Sequence, residues 1–145
     1  MTKNNEQRIA KQARVDSANQ VLLAMATYGR RIFYSKESGQ VSRFSLGTNG
    51  VIWLTDARTG ALVYVASTRE WRGFSFDAPA RQLVEDLCRY IRTAEPIAAN
   101  WFESWPGRAG NEDLWRYGPA AMAAVRTTLA TCVAIGAGEV ERLAA

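Results

Sequence analysis

The chain has 145 residues, a formal net charge of +4 and a 48% apolar composition. That suffices for one domain (1–145) with its own core, without disulfides or a structural metal. It holds no histidine and only two cysteines. This excludes Ser–His and Cys–His nucleophilic pairs and the common zinc sites, and no apolar run approaches the roughly 18–20 residues of a membrane span.

The start, "MTKNNEQRIAKQARVD", is polar and charged and lacks a signal-peptide pattern, so a cytoplasmic protein is expected. Residues 1–16 read as a polar helix or a mobile arm. Ser17 followed by Gln20 is a capping-box signature. Behind it Ala18, Val21, Leu22 and Met25 share a helical face, and Gly29 is a good residue just past a helix end. The segment reads as one long helix or two.

Four strand candidates follow: "RIFYS", "VSRFSL", "VIWLT" and "ALVYVAS". The intervening "KESGQ", "GTNG" and "DARTG" are turns, in which Asn49, Gly50 and Gly60 tolerate positive φ. Short turns throughout predict an α+β fold, an antiparallel four-stranded meander with helices packed on it. The last two strands are apolar at nearly every position. They predict burial of Trp53, Leu54, Leu62, Val63 and Tyr64, with cover on both sheet faces from helices or from a second copy in a homodimer.

The next stretch, "TREWRGFSFD", alternates aromatic and basic residues around Gly73. Trp71 and Phe76 are expected to anchor a sheet-to-helix corner, with Arg69 and Arg72 facing outward. A helix follows, with Asp77 as N-cap, Pro79 in the first turn, and Ala80, Leu83, Val84, Leu87 and Ile91 as the inward stripe. Glu85 and Arg89 form an i, i+4 pair on its outer side. A short helix at 98–102 leads into a tryptophan-rich stretch, 101–117. Pro119 opens a last helix with Met122, Val125, Leu129 and Cys132 or Val133 inward, and 139–145 reads as a frayed tail. Cys88 and Cys132 fall in apolar patterns and read as small buried hydrophobes.

Fifteen of the eighteen cations are arginine. Up to Arg92, fourteen cations face eight acids; beyond it, four face six. A basic surface attracts nucleic acid or an acidic protein face, and a guanidinium forks onto phosphate or carboxylate. Arg30, Arg31 and Arg43 flank the first strands, Arg58 sits at a hairpin tip, and Arg69 and Arg72 precede the helix. With Phe74 they form the candidate partner-binding set. The competing reading is that they are solvated side chains of an arginine-rich chain. No Walker loop or GxGxxG is present. Glu103 with Glu112 or Asp113 are the acids a hydrolytic cleft would use, and their other reading is to solubilise the tryptophan stretch. No catalytic residue, metal or cofactor is assigned.

In order and spacing, "GRRIFYS", "VIWLTDARTGALVYV", "WRGFSF", "LVEDLCRYIRT" and "LWRYG" resemble a group of small uncharacterised accessory proteins of proteobacterial phages, plasmids and integrative elements. The resemblance runs from Gly29 to Val125. In that group glycines follow "WRGFS", where this chain has Phe76, Asp77 and Ala78. The resemblance implies a genomic setting and no established activity. In that setting the leading expectation is a non-enzymatic binding protein of a mobile genetic element. Its form would be an anti-CRISPR or other anti-defence inhibitor that covers a surface of a host nucleoprotein complex. The alternatives are a nucleic-acid-binding accessory or regulatory protein and a small carboxylate-dependent hydrolase.

Overall fold

The computed structural model describes residues 3–103 and 113–136, which form three α-helices and a three-stranded antiparallel sheet, an α+β fold. Helix α1 runs unbroken over Lys3–Gly29. Ser17 does not cap a second helix, because it lies among Val15, Ala18, Val21, Leu22 and Met25, a fully buried stripe that only a continuous helix presents. Its hydroxyl turns inward and accepts the Ala134 N–H at 2.9 Å.

The polar first half of α1 is tied to the rest of the molecule. Arg8 donates to the Gly47 and Thr48 carbonyls, and Lys11 to the Gly50 carbonyl at 2.8 Å. Arg14 donates to the Ile91 carbonyl at 2.7 Å. That carbonyl lies in the last turn of α2 (Ala78–Thr93), where carbonyls lack helical partners and positive charge is favoured.

Helix α2 starts as its sequence directs. The Asp77 carboxylate accepts the Ala80 N–H at 3.2 Å, and Pro79 occupies the first turn. The expected stripe of Ala80, Leu83, Val84, Leu87 and Ile91 is buried throughout. Glu85 pairs with Arg81 at 3.1 Å instead of Arg89, which lies toward Glu95 at 4.0 Å. Helix α3 covers only Pro119–Thr128. Leu129 and Cys132 remain buried, but the chain then takes a 3-10 turn at Val133–Ile135 that leaves Val133 exposed. A longer helix would forfeit two bonds made there: Ala134 N–H to Ser17, and Ile97 N–H to the Ala134 carbonyl.

The strands are β1 (Arg43–Leu46), β2 (Ile52–Thr55) and β3 (Leu62–Tyr64), paired in chain order. The fourth candidate strand, "RIFYS", is not one. Arg30 and Phe33 adopt φ of +49° and +62°, outside the extended region, and the Phe33 ring packs edge-on to Phe76 at 5.4 Å. A single bridge, Tyr34 to Val41, is what remains. The free edge of β1 is closed by Asn19 of α1. Its side-chain amide accepts the Phe44 N–H at 2.7 Å and donates to the Phe44 carbonyl at 3.1 Å, as a neighbouring strand would.

Opposed residues of an antiparallel pair share a face. Phe44, Leu54 and Val63 form one row on the inner face, with Ile52 and Val65 beside them, all buried in one hydrophobic cluster. Helix α1 packs on β1 and also holds α2 and α3. The outer face carries Arg43, Thr55 and Leu62 in one row and Ser45, Trp53 and Tyr64 in the next. Leu54 and Val63 are buried as expected and Trp53 is half-buried, but Leu62 is 57% and Tyr64 49% exposed. The expected cover on both faces is therefore absent among the described residues. The helices gather around α1 on one side, and β3 alternates in and out with a period of two. The tail 139–145, Glu112 and the middle of the tryptophan-rich stretch lie outside the described residues.

Candidate functional site

The aromatic and basic residues of "TREWRGFSFD" separate by side, as their alternation predicts. Trp71 is buried and its indole N–H donates to the Ser67 carbonyl at 2.9 Å. Trp71, Phe74, Phe76 and Phe33 form a chain of edge-to-face contacts with centroids 5.3, 5.7 and 5.4 Å apart. Two guanidinium groups lie against this chain, Arg81 over Trp71 at one end at 4.2 Å and Arg58 over Phe76 at 4.4 Å. Gly73 makes the bend at φ +85°, with so little room that a Cβ would lie 2.2 Å from that of Ala61. Buried Asp56 locks the corner to the β2–β3 turn, accepting the N–H groups of Arg58, Thr59 and Ser75 and the Ser75 hydroxyl. Phe74 thus belongs to the corner's packing and is only partly accessible.

The six candidate arginines divide into two groups. Arg31 donates to the Trp115 carbonyl and lies over the Tyr117 ring at 5.7 Å. Arg58 donates to the Arg31 carbonyl at 2.9 Å and the Ser75 carbonyl at 3.4 Å. Arg30 shares a shallow groove with both, with Lys36 and Glu37 beside them. Arg31 and Arg58 join the end of α1 to the corner, while the exposed Arg30 guanidinium has no hydrogen-bond or ion-pair partner among the described residues. Arg43, Arg69 and Arg72 are exposed, and their guanidinium groups have no hydrogen-bond or ion-pair partner among the described residues.

That second group surrounds the outer sheet face. Arg43 stands in the same row as Leu62. Arg69 and Arg72 line a groove of about 480 Å³ with Leu62 and Tyr64, in which Glu70 is the one acid. The Trp53 and Tyr64 rings lie beside each other, centroids 5.5 Å apart and tilted by 53°. Tyr64 is a ridge, because on its other side lies a groove of about 560 Å³ with Lys11, Arg92 and Glu85 in its wall. Trp53, Leu62 and Tyr64 were not among the sequence candidates, since apolar strand residues read as core. A signal for them was nonetheless present. "RFSL" alternates polar and apolar, and the "GTNG" turn sets Ser45 opposite Trp53, which places Trp53 on the polar side.

Of the carboxylates considered for hydrolysis, Glu112 lies outside the described residues and Asp113 is engaged by backbone N–H groups. Asp113 is buried, and its two oxygens accept the N–H groups of Trp115, Tyr117 and Gly118 at 3.0, 3.1 and 2.9 Å. It orders the approach to α3. Nearby, Trp101 and Trp115 stack at 5.8 Å, and their indoles donate to Asp86 and to the Trp101 carbonyl. No three His, Cys, Asp or Glu residues form a metal-binding group among the described residues. Cys88 and Cys132 are free and buried, and burial pushes the Cys88 thiol up to about 12 against the nearby Arg92. Burial likewise raises the Tyr117 phenol to about 12; its oxygen accepts the Ile32 N–H and donates to the Met25 carbonyl. No helix among the described residues is long and apolar enough to cross a membrane. No family model, curated protein or solved structure matches the chain.

Proposed function

We propose that this chain is a non-enzymatic binding protein whose recognition surface is the outer face of the sheet with Arg43, Arg69 and Arg72 around it. What supports the reading is the coincidence, on one face, of exposed Leu62 and Tyr64 with three guanidinium groups whose donors are unspent. Exposed side chains of this kind contribute little to the fold, and aromatic and arginine side chains dominate binding hot spots. In the setting implied by the resemblance to mobile-element accessory proteins, the partner is a host nucleoprotein complex in the cytoplasm. Covering part of it would inhibit it, as an anti-CRISPR or other anti-defence protein does.

Affinity capture from a proteobacterial host lysate tests this, with the parent chain and a Leu62→Asp/Tyr64→Ala variant of matched melting temperature. One complex retained by the parent and lost by the variant is expected; equal capture by both overturns the reading. The exposed Leu62 and Tyr64 also favour a second reading, a homodimer through paired outer faces. It brings Arg43, Arg69 and Arg72 of two copies toward one another. Light scattering at tens of micromolar distinguishes a monomer from a dimer.

A further inference from the structure

We infer that the outer sheet face receives an unpaired nucleic-acid strand, with a base stacked on the Tyr64–Trp53 pair and the phosphate chain passing Arg69 and Arg72. The inference rests on the reading that this face is the binding surface, and it names what the face touches.

Size is the first argument. Three strands about 4.8 Å apart and three or four residues long at about 3.3 Å each make a platform of roughly 100 Å². A stable protein partner buries about 800 Å² of accessible surface per side with an apolar centre, so a protein seated here must also engage surface well beyond the sheet. The platform itself matches the area of one or two bases. Every base has a π face, and stacking on an exposed aromatic ring is tolerant of sequence. The half-exposed Tyr64 ring, braced by Trp53, offers such a surface.

Charge is the second. Six arginines already donate to the protein's own groups: Arg8, Arg14, Arg31, Arg58 and Arg126 to carbonyls, Arg81 to Glu85 and the Arg69 carbonyl. Arg69 and Arg72 are unspent and share one groove with the aromatic ridge, while Arg43 extends the basic rim across the sheet. A guanidinium in that condition forks onto a phosphate. The arrangement does not suit a duplex, whose major groove is read by an inserted helix or ribbon. The basic side chains of α1 nearest the sheet, Arg8 and Lys11, are bound to the β1–β2 hairpin, and α2 mixes Gln82, Asp86 and Arg89 on its outer side.

Fluorescence anisotropy with a labelled oligothymidylate, an oligouridylate and a duplex of mixed sequence tests the inference. The single strands should bind at low ionic strength, more tightly than the duplex. Three phosphate contacts predict a log–log salt slope of about −2, and Arg69→Ala/Arg72→Ala should flatten it by about 1.4. Tyr64→Ala should weaken binding about ten-fold at unchanged melting temperature. Failure of the parent to bind single strands, equal binding of duplex, or unchanged binding by Tyr64→Ala overturns the inference. So does a dimer that Tyr64→Ala dissociates, since a second copy then occupies the face. The capture experiment with the same variants separates the two levels. If single strands do not bind but capture is lost, only the nucleic-acid inference falls; if capture also persists, the binding surface falls with it.

Discussion

The two faces of the sheet differ less in what β2 and β3 contribute than in what β1 places beside them. Inward, Leu54 and Val63 meet Phe44; outward, Trp53 and Tyr64 meet Ser45, and Leu62 lies in the row of Thr55 and Arg43. Leu54 is fully buried and Leu62 mostly exposed, although both are leucines in adjacent strands. The side a helix covers is therefore decided by the most polar strand of a small sheet, which leaves the apolar residues on the other side available to a partner.

Substitutions on the two sides should separate by size. The largest loss belongs to the buried corner: Trp71→Ala should cost roughly 3–5 kcal/mol, read from urea unfolding, because it opens the aromatic chain and removes the ring beneath Arg81. Leu54→Ala should cost about 2–5 kcal/mol, whereas Leu62→Ala should stay within about 0.5 kcal/mol. Equal costs for the two leucines would mean that something covers the outer face and would break the contrast.

Alkali should act through Cys88 and Tyr117. Cys88 and Tyr117 rise from ordinary values of 9.0 and 10.0 to about 12 in the fold, chiefly by burial. Each group's contribution is complete below its unfolded value and is lost as pH climbs toward 12, since the unfolded chain gives up these protons first. Urea midpoints should fall across that window, and Cys88→Ala should make the fall shallower. Outer-face variants should leave its shape unchanged. Among arginines, Arg58→Ala should cost about 1–2 kcal/mol, for a ring contact and bonds to two carbonyls. Arg69→Ala/Arg72→Ala, the smallest effect on stability, should cost no more than about 0.5 kcal/mol, and a larger loss would place those side chains in the fold.

What could be read from the sequence follows physical range. Local chemistry sufficed for α2, because Asp77, Pro79 and the stripe through Ile91 act within one helix. It also sufficed for the turns at Gly50, Gly60 and Gly73, which all have positive φ, and for the divergence of Trp71 from Arg72. It failed where a distant partner outweighed local preference. "RIFYS" has strand propensity, yet Phe33 is drawn to Phe76 and its backbone turns left-handed. Ser17 has capping chemistry, yet Ala134 claims its hydroxyl. The arginines were recognisable as a basic set, but the division between spent and unspent guanidinium groups depends on carbonyls far along the chain, such as Trp115 for Arg31.

The bonds along α1 also set a timetable for synthesis. Its partners arrive in stages: Asn19 meets a residue 25 positions later, Arg14 one 77 later, and Ser17 one 117 later. At about 5–20 residues per second, the helix emerges and then waits roughly ten seconds for the Ala134 N–H. Through that interval the side chains of Val21, Leu22 and Met25 lack part of their final packing. A nascent-chain chaperone has that interval in every round of translation to hold this helix, and any translational pause between α1 and α3 prolongs it.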